Sequence, residues 1–330
     1  MTPAKTLPLP GVHITLHPFE VPLRVKFRGV TSRRGVLLSG PSGWGEFSAF
    51  DEYDDEYAAR WLDAAVAAAR DPWPRAVRDT VPVNATVPAV DPATAQAIVR
   101  EFNAATVKVK VAERGQTPGE DVERLQAVRD ALGPAGAIRI DANAAWGVDE
   151  AVVRIAELDR AAGGLEYVEQ PVRSLADMAT VRKRVDVRIA ADESIRTAED
   201  PVAVAAHEAA DLVVLKVQPL GGIRRAMQVA EACGLPVVVS SALETSVGLA
   251  AGVAFAAALP ELPFACGLGT GLLLAQDVVA RPLVPINGVI EVRRPSPTPA
   301  LVGAATPTSD AAEALMNRLD RLVVIDSPFR

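Results

Sequence analysis

Five charged side chains, each at the end of a short apolar run, are the residues of this chain best suited to chemistry. They are Lys110 in TVKVKVA, Asp141 in IRIDANAAW, Glu169 in LEYVEQP, Asp192 in RIAADES and Lys216 in LVVLKVQP. Successive members lie 31, 28, 23 and 24 residues apart, about the length of one strand and one helix. Three carboxylates between two lysines predict a divalent-cation site with a proton-transferring amine on each side.

The acidic residues have an alternative interpretation, because an acid after a strand often caps the following helix. Three acids at consecutive strand ends favour a metal site instead, since neighbouring carboxylates repel each other unless a cation lies among them. A ligand set made only of oxygen atoms is typical of Mg²⁺. Asn143 and Glu193 adjoin two of these acids and are expected to support the ligands through hydrogen bonds.

The lysines Lys108 and Lys110 are two residues apart, so their side chains lie on one face of a strand. A solvated, outward-facing KVK segment is the alternative. The inward orientation is favoured because helices cover the outside of a barrel and valines occupy the alternate positions. Lys216 follows the wholly apolar LVVL. A neighbouring cation lowers the pKa of an amine and makes it a usable base. Arg139 shares the face of Asp141 and is expected to contact a substrate anion.

The elements that carry these residues alternate between strands and helices. Eight apolar runs occur at VPVNATV, ATVKVKV, AIRID, LEYVE, VRIAAD, DLVVLK, LPVVVSS and PFACG, with helix-like segments in the seven gaps. This order predicts a (β/α)7β barrel of the TIM type over residues 81–280, whose strand ends converge at one mouth. Short alternating runs and one helical segment in residues 1–80 predict an α+β capping domain. Residues 281–330 are expected to pack back on it. The segment RRPSPTPALVGAATPTSD within the latter predicts a linker.

The bulk composition is typical of a cytoplasmic enzyme. The 330 residues are 49% hydrophobic and 23% charged, and a net charge of −7 argues against a nucleic-acid partner. Two cysteines are too few for a disulfide framework. The N-terminal residues are not expected to form a signal peptide, and GLAAGVAFAAALP predicts a packed helix rather than a membrane span. Oligomeric state is not predictable from these data.

Two segments are candidates for substrate binding. The GLGTG segment does not have the GxGxxG spacing of a dinucleotide loop, but the last loops of a barrel often bind anions through backbone N–H groups. Leu268 and Gly269 are therefore expected to contact substrate. Ser240 and Ser241 lie in the preceding loop, where a helix-capping role is an equal alternative. No histidine lies at a strand end, so none is expected to be catalytic.

The ordered motifs KxK, DAN, EQP, ADES and LK, each at a successive strand end, resemble those of the enolase superfamily, in its muconate-lactonizing-enzyme-like branch. The resemblance spans most of the chain. Within the branch, PVNATVPAV, TVKVKVA, SSALETSVGL and CGLGTGLLLAQDV most resemble the actinobacterial o-succinylbenzoate synthase family of menaquinone biosynthesis. The eighth strand end has no DxD, the pair with which dipeptide epimerases hold a substrate amine.

The resemblance implies a hydro-lyase that acts on a small carboxylate, 2-succinyl-6-hydroxy-2,4-cyclohexadiene-1-carboxylate, and forms 2-succinylbenzoate. Mg²⁺ on Asp141, Glu169 and Asp192 would bind the substrate carboxylate and stabilise the enediolate. Lys110 would remove the α-proton and return it to the departing hydroxyl in a syn elimination. Lys216 would stabilise the enolate from the opposite face, and Lys108 would tune Lys110.

Three other functions remain open at this point. An N-acylamino-acid racemase, or another 1,1-proton-transfer enzyme, would use Lys110 and Lys216 as bases on opposite faces. A Schiff-base lyase or aldolase would use Lys216 as its nucleophile. A scaffold protein would have no need for the five charged residues. Substrate identity is expected to depend on cap loops around Arg24–Arg34 and Gly40–Tyr53.

Overall fold

A three-stranded antiparallel sheet and one long helix form the N-terminal part of the chain. The computed structural model describes residues 5–7, 13–27, 29–196 and 203–325, so part of the N-terminal segment considered above lies outside the described residues. The elements are β1 (Thr15–Phe27), β2 (Val30–Gly40), β3 (Gly43–Phe47) and α1 (Asp55–Arg70). Helix α1 begins at Asp54, whose side chain accepts a hydrogen bond from the Tyr57 backbone N–H. Gly45 lets α1 approach β3 closely, because a Cβ there would lie 2.0 Å from the Ala65 carbonyl oxygen.

Seven parallel strands form the second and larger sheet, in the spatial order of the sequence. After the short strand β4 (Thr80–Pro82) they are β5 (Ala85–Val87), β6 (Thr106–Lys110), β7 (Ala137–Asp141), β8 (Val168–Glu169), β9 (Ile189–Ala191), β10 (Leu212–Leu215) and β11 (Val237–Val239). Most of their residues are buried, as expected for a parallel sheet covered on its outer face.

Helices fill each of the seven gaps after these strands within the described ranges. They are α2 (Pro92–Phe102), α3 (Pro118–Leu132), α4 (Val148–Ala162), α5 (Leu175–Arg182), α6 (Glu193–Arg196), α7 (Ala203–Ala206), α8 (Ile223–Cys233) and α9 (Ser246–Ala258). Every residue of α9 is buried, so the prediction of a packed helix is confirmed. None of the helices in the described residues is both long and apolar enough to cross a membrane.

The barrel is closed by two residues rather than by a full eighth strand. Cys266 forms a parallel bridge with Val83, and Gly267 forms one with Ser240. The Gly267 N–H donates to the Val239 carbonyl at 2.8 Å, and the Asn84 N–H donates to the Cys266 carbonyl at 2.9 Å. The segment PFACG therefore joins the two edges of the seven-stranded sheet, and the predicted (β/α)7β barrel is confirmed with a shorter last strand. A 3₁₀ turn over Thr270–Leu273 follows it.

The first predicted barrel strand is also divided. The run VPVNATV splits at Asn84, so that β4 pairs antiparallel with β12 (Val289–Glu291), whereas β5 pairs with β6 in the barrel. The C-terminal segment contains α10 (Pro299–Ala304) and α11 (Ser309–Val323). Helix α10 lies where the sequence predicted a linker or loose loop, so that prediction is wrong for these six residues; Pro299 is tolerated because it lies in the first turn.

The C-terminal helix packs on the capping sheet and helix. Leu319 and Leu322 of α11 share a buried cluster with Trp61 and Leu62 of α1 and with Phe47 of β3. The side chain of Arg318 donates hydrogen bonds to the carbonyls of Phe50 and Tyr53. These contacts describe how the two ends of the chain meet. The domain limits at residues 80 and 280 themselves stay predictions.

Candidate active site

Three lysines and three carboxylates meet at the carboxyl ends of β6 to β10. Lys110 Nζ lies 2.5 Å from Asp141 Oδ2, and Lys216 Nζ lies 2.5 Å from Asp192 Oδ2. Lys108 Nζ lies between two acids, 3.2 Å from Asp141 Oδ2 and 2.9 Å from Glu169 Oε2. The parallel register places Lys110 beside Asp141 and Asp141 beside Glu169. The structure thus brings together all six residues that the sequence singled out at the strand ends.

Burial makes the electrostatic coupling within this cluster strong. Burial, together with the nearby carboxylates Asp141 and Asp192, raises the pKa of Glu169 to about 7 against the opposing effect of Lys108. Burial would also raise the pKa of Asp141, but the ammonium groups of Lys110 and Lys108 outweigh it and hold that pKa well below its usual value. The repulsion acting on Glu169 is the one that an added cation would relieve.

Asn143 and Glu193 lie where the sequence predicted supporting residues. Asn143 Oδ1 accepts a hydrogen bond from Lys110 Nζ at 2.7 Å, and its Nδ2 donates to Glu193 Oε1 at 3.3 Å. The Asn143 backbone N–H donates to Asp141 Oδ1 at 3.0 Å. Its φ of 45° lies in the left-handed region, which asparagine tolerates better than most residues. Asn143 therefore connects Lys110, Asp141 and Glu193, which follows β9.

Gln170 was not singled out from the sequence, although it follows Glu169 directly. Its side chain is fully buried, and its Oε1 accepts hydrogen bonds from the backbone N–H groups of Asp192 and Ser194. Its Nε2 donates to Ser194 Oγ at 2.7 Å. Gln170 thus ties the end of β8 to the end of β9 and fixes the backbone that carries Asp192.

The charged cluster opens into a small cavity of about 50 Å³. Its walls include Ser240 and Ser241, both buried, and their predicted contact with substrate stays a prediction. Ser241 Oγ and Thr270 Oγ1 share a hydrogen bond of 2.6 Å. The sequence missed Thr86 and Thr270 as lining residues. Thr86 pairs with Lys108 across β5 and β6 and faces the same cavity. Its hydroxyl within an otherwise apolar strand is the sequence feature that could have identified it.

The capping domain reaches this cavity through one of the two predicted loops. Phe27, at the end of β1 and within the segment Arg24–Arg34, lines the cavity. The other segment, Gly40–Tyr53, contacts the barrel beside the cavity. The Ser48 backbone N–H donates to Gln218 Oε1 at 3.3 Å. Gln218 lies two residues after Lys216 in the chain.

The capping domain also buries a carboxylate against the barrel, at Glu46 of β3. It accepts hydrogen bonds from the Gly248 N–H at 3.0 Å and from Thr245 Oγ1 at 2.5 Å, both at the start of α9. Ser48 Oγ donates to it at 2.7 Å. Burial, with a smaller contribution from the neighbouring acid Glu244, raises the pKa of Glu46 to about 7 against the effect of its hydrogen bonds. The sequence gave no indication of this contact.

Arg139, predicted to contact a substrate anion, does not line the charged cavity. Its guanidinium is fully buried beneath the mouth and forms an ion pair with Glu166. Its Nη1 donates to Tyr167 Oη at 3.0 Å and to the Ala265 carbonyl at 2.8 Å. The spacing from Asp141 placed Arg139 on the correct inner face, but its side chain extends away from the mouth.

The two residues predicted in the GLGTG segment have different surroundings. The Leu268 side chain is buried in the core, where it packs against Gly252. Gly269 lies against Phe102 and borders a neighbouring cavity rather than the charged one. Gly267 and Thr270 line the charged cavity in their place. The loop after the last strand does reach the mouth, but through different residues.

The carboxylates Asp141, Glu169 and Asp192 fit a hard divalent cation in their chemistry. All three are buried at adjoining strand ends and supply only oxygen donors. Within the described part of the chain, however, no three His, Cys, Asp or Glu side chains are grouped as a preformed metal site. Each carboxylate is turned toward a lysine instead.

Comparisons with known proteins agree with this architecture. Residues 92–299 match the family model described as enolase C-terminal domain-like, and residues 19–69 match the enolase N-terminal domain-like model. Among solved structures, the L-Ala-D/L-Glu epimerase from Bacillus subtilis superposes with a TM-score of 0.73 at 25% identity, covering 86% of this chain and 96% of that one. The muconate lactonizing enzyme from Pseudomonas putida has a TM-score of 0.74 at 19% identity, covering 89% and 99%, and shows the fold alone.

Relatives of higher sequence identity narrow the family. An o-succinylbenzoate synthase from Thermobifida fusca is 63% identical over 276 residues, which are 84% of this chain and 86% of that protein. An o-succinylbenzoate synthase from Mycobacterium bovis is 52% identical over 298 residues, 90% of each chain. The chain therefore belongs to the enolase superfamily and, within it, to the family of the o-succinylbenzoate synthases.

Proposed function

We propose that this chain is an o-succinylbenzoate synthase, which dehydrates 2-succinyl-6-hydroxy-2,4-cyclohexadiene-1-carboxylate to 2-succinylbenzoate in menaquinone biosynthesis. The main support is the 63% identity to a synthase over 84% of this chain. The mouth of the barrel supplies what the reaction needs, namely an amine base beside acids that suit a cation. We place the reaction in the cytoplasm, in keeping with the composition.

We propose Asp141, Glu169 and Asp192 as the ligands of a Mg²⁺ ion. When bound, the ion would supply positive charge that stabilises the negative charge developing on the substrate carboxylate. The raised pKa of Glu169, caused by burial and by the adjacent acids, supports this assignment. Asn143 would hold Asp141 through its backbone N–H, as residues behind a metal ligand commonly do.

We propose Lys110 as the acid/base group. Its Nζ contacts Asp141 and Asn143 at the cavity wall, so the amine is held at a fixed place beside the bound carboxylate. Lys110 Nζ would take the α-proton while the C–H electron pair forms the new ring double bond. The same nitrogen would return the proton to the departing hydroxyl, which leaves as water. One lysine is sufficient because both groups leave from the same face.

Lys216 and Lys108 have electrostatic roles in this proposal. Lys216 Nζ lies at the cavity wall beside Asp192, where its charge would stabilise the electron-rich ring. Lys108 Nζ bridges Asp141 and Glu169 and would help neutralise the ligand set. Burial would lower the pKa of Lys108, but the attraction of these two acids outweighs it and raises that pKa well above the usual value. Lys108 is therefore a poor candidate for the base.

Racemisation of N-acylamino acids is the second candidate function. The observation that favours it is the presence of two lysines, Lys110 and Lys216, on separate strands around one cavity. Removal of a proton by one and return by the other would invert a stereocentre. The same carboxylates would serve both reactions, so the site geometry alone does not separate them.

Turnover by the purified protein tests the proposal. The cyclohexadiene substrate is incubated with the enzyme and Mg²⁺, after removal of the metal with EDTA, and again after Mg²⁺ is restored. N-acylamino acids are followed in parallel by polarimetry. We expect metal-dependent loss of the diene absorbance. Loss of optical activity without any dehydration would contradict the synthase and support the racemase.

A further inference from the structure

A second cavity of about 290 Å³ lies directly beside the charged one. The two cavities share Thr86 and Thr270 as wall residues, so they adjoin at the end of β5 and at the turn after the last strand. Two other cavities of comparable size, one along Gly29–Glu52 and one beneath α1, share no wall residue with the charged cavity. The second cavity is therefore its neighbour and is called the arm pocket below.

The volumes indicate that a substrate must extend beyond the charged cavity. A cavity of about 50 Å³ accommodates a few water molecules, since one water needs roughly 10–15 Å³ of space open to its centre. A six-membered ring that bears both a carboxylate and a four-carbon arm is several times larger. Atoms of the substrate remote from the reacting carbon thus need the space of the arm pocket.

The wall of the arm pocket is mostly apolar and has a cation near its rim. Ile98 and Phe102 of α2 line one side, and Leu272 and Leu273 line another. Arg24 of β1 is the lining cation, and its Nε donates to the Leu274 carbonyl at 3.0 Å. This bond uses Nε, and because the residue is exposed, its Nη groups can be reached by an anion. Glu101 is the lining acid.

The strand that carries Arg24 is fixed to the barrel. Leu23 forms an antiparallel bridge with Leu274, and the Ala275 N–H donates to the Pro22 carbonyl at 2.9 Å. These contacts hold β1 across the loop that follows the last barrel strand. The position of Arg24 relative to Thr270 is thus determined by backbone pairing and not only by its side chain.

We propose that the arm pocket binds the succinyl arm of the substrate, with its methylene groups against Phe102 and Leu272 and its terminal carboxylate at Arg24. This assignment rests on the proposed function and names Arg24 as a residue that determines specificity. A methylene chain matches an apolar wall, and a guanidinium binds a carboxylate through paired N–H groups. Glu101 opposes the same carboxylate, so the two side chains are expected to have opposite effects.

Steady-state kinetics on two substrates tests the assignment. One substrate carries the free arm carboxylate, and the other carries its methyl ester. We expect Arg24→Met to raise KM for the acid at least tenfold and to change kcat less than threefold, because the arm is remote from the reacting carbon. KM for the ester should be unchanged, and Arg24→Lys should restore part of the loss. Glu101→Gln should lower KM for the acid.

Lys26→Met is the matched control, since Lys26 is an exposed cation of the same strand that does not line the arm pocket. Its KM for the acid should match that of the wild type. Equal KM values for the acid in Arg24→Met and wild type, or an equal rise for acid and ester, would overturn the assignment and leave the synthase function intact. Absence of wild-type turnover on either substrate would overturn both.

Discussion

Lys108 and Arg139 lie side by side in the barrel, on β6 and β7, yet their charged groups have different surroundings. The backbone register pairs the two residues directly. Lys108 extends toward the mouth and contacts Asp141 and Glu169. Arg139 extends the other way and contacts Glu166, Tyr167 and the Ala265 carbonyl. One inward cation therefore belongs to the reactive cluster, and the other fills the barrel beneath it.

The two layers differ in what can approach the charges. The mouth layer lines a cavity, so a substrate or a cation can replace a lysine–carboxylate contact. The layer beneath is closed by Tyr167, Ala190, Leu212, Val214 and Val238, which form a small buried cluster of their own. Burial there raises the pKa of the Tyr167 hydroxyl, so it remains a neutral partner for Arg139. Arg139 is thus enclosed by the barrel, and only its partner Glu166 is partly exposed, so we expect the pair to stabilise the fold.

The largest expected effect is the loss of activity on replacing a lysine of the mouth layer. Lys110→Met removes the proposed acid/base group, and we expect kcat to fall about 10⁴-fold, the upper end for general acid–base catalysis. The thermal midpoint should change little, since Lys110 is partly exposed at the cavity wall. Diene turnover and calorimetry on the same sample provide the two measurements. A folded variant with wild-type kcat would contradict the assignment.

Arg139→Met should give the reverse pattern. Breaking this buried pair leaves Glu166 and Tyr167 without their shared donor, and we expect the free energy of unfolding to fall by about 3–5 kcal/mol. The kcat of the remaining folded enzyme should stay within a few-fold of wild type. Urea denaturation gives the first quantity, and turnover normalised to folded protein gives the second. A large loss of kcat without loss of stability would move Arg139 back into the site.

The sequence predicted the mouth layer more completely than the layer beneath it. Charged residues at the ends of apolar strands are conspicuous, and parallel strands must bring such ends together. Because side chains alternate between the two faces of a strand, the sequence also indicates which face of β7 carries Arg139. It does not indicate whether a long side chain extends toward the mouth or away from it along the barrel axis. That direction depends on Glu166 and Tyr167, whose positions follow from the packed barrel.

The short last strand and the cap contacts could not be predicted for a related reason. PFACG has the composition of a strand, but the length of its pairing depends on where Ser240 and Val83 lie in the closed barrel. The contact of Glu46 with the start of α9 joins residues about 200 positions apart and has no local pattern. Propensity and periodicity describe neighbours along the chain, whereas these contacts are set by tertiary register.

Glu46 is a third buried charged group, at the junction of the capping domain and the barrel. Its ionisation is expected to make the free energy of unfolding depend on pH, with a smaller effect than the two changes above. Its pKa is raised by burial from the usual 4.5 to about 7, so the folded state holds this proton more tightly than the unfolded chain. Its contribution to stability is therefore full below pH 4.5 and is lost as the pH rises to about 7. Glu46→Gln should remove up to roughly 3 kcal/mol of this pH dependence.

Urea denaturation at pH 5 and pH 8 measures the Glu46 effect. The wild-type free energy of unfolding should fall more between these values than that of the variant. Glu52→Gln, a change at an exposed acid of the cap, should follow the wild type. Parallel pH dependences for wild type and Glu46→Gln would show that the carboxyl is ionised in the fold as easily as in the unfolded chain.

The two-residue closure of the barrel has a consequence for the order of folding. Cys266 and Gly267 pair with Val83 and Ser240, and the first of these bridges joins residues separated by more than half of the chain. Contacts of such sequence separation form late, because the entropy of closing a long loop must be overcome first. Gly267 and Thr270 also line the charged cavity. During synthesis, the lysines and carboxylates therefore emerge well before the residues that complete their cavity, and a truncated chain ending before Cys266 would carry every proposed catalytic residue without an enclosed site.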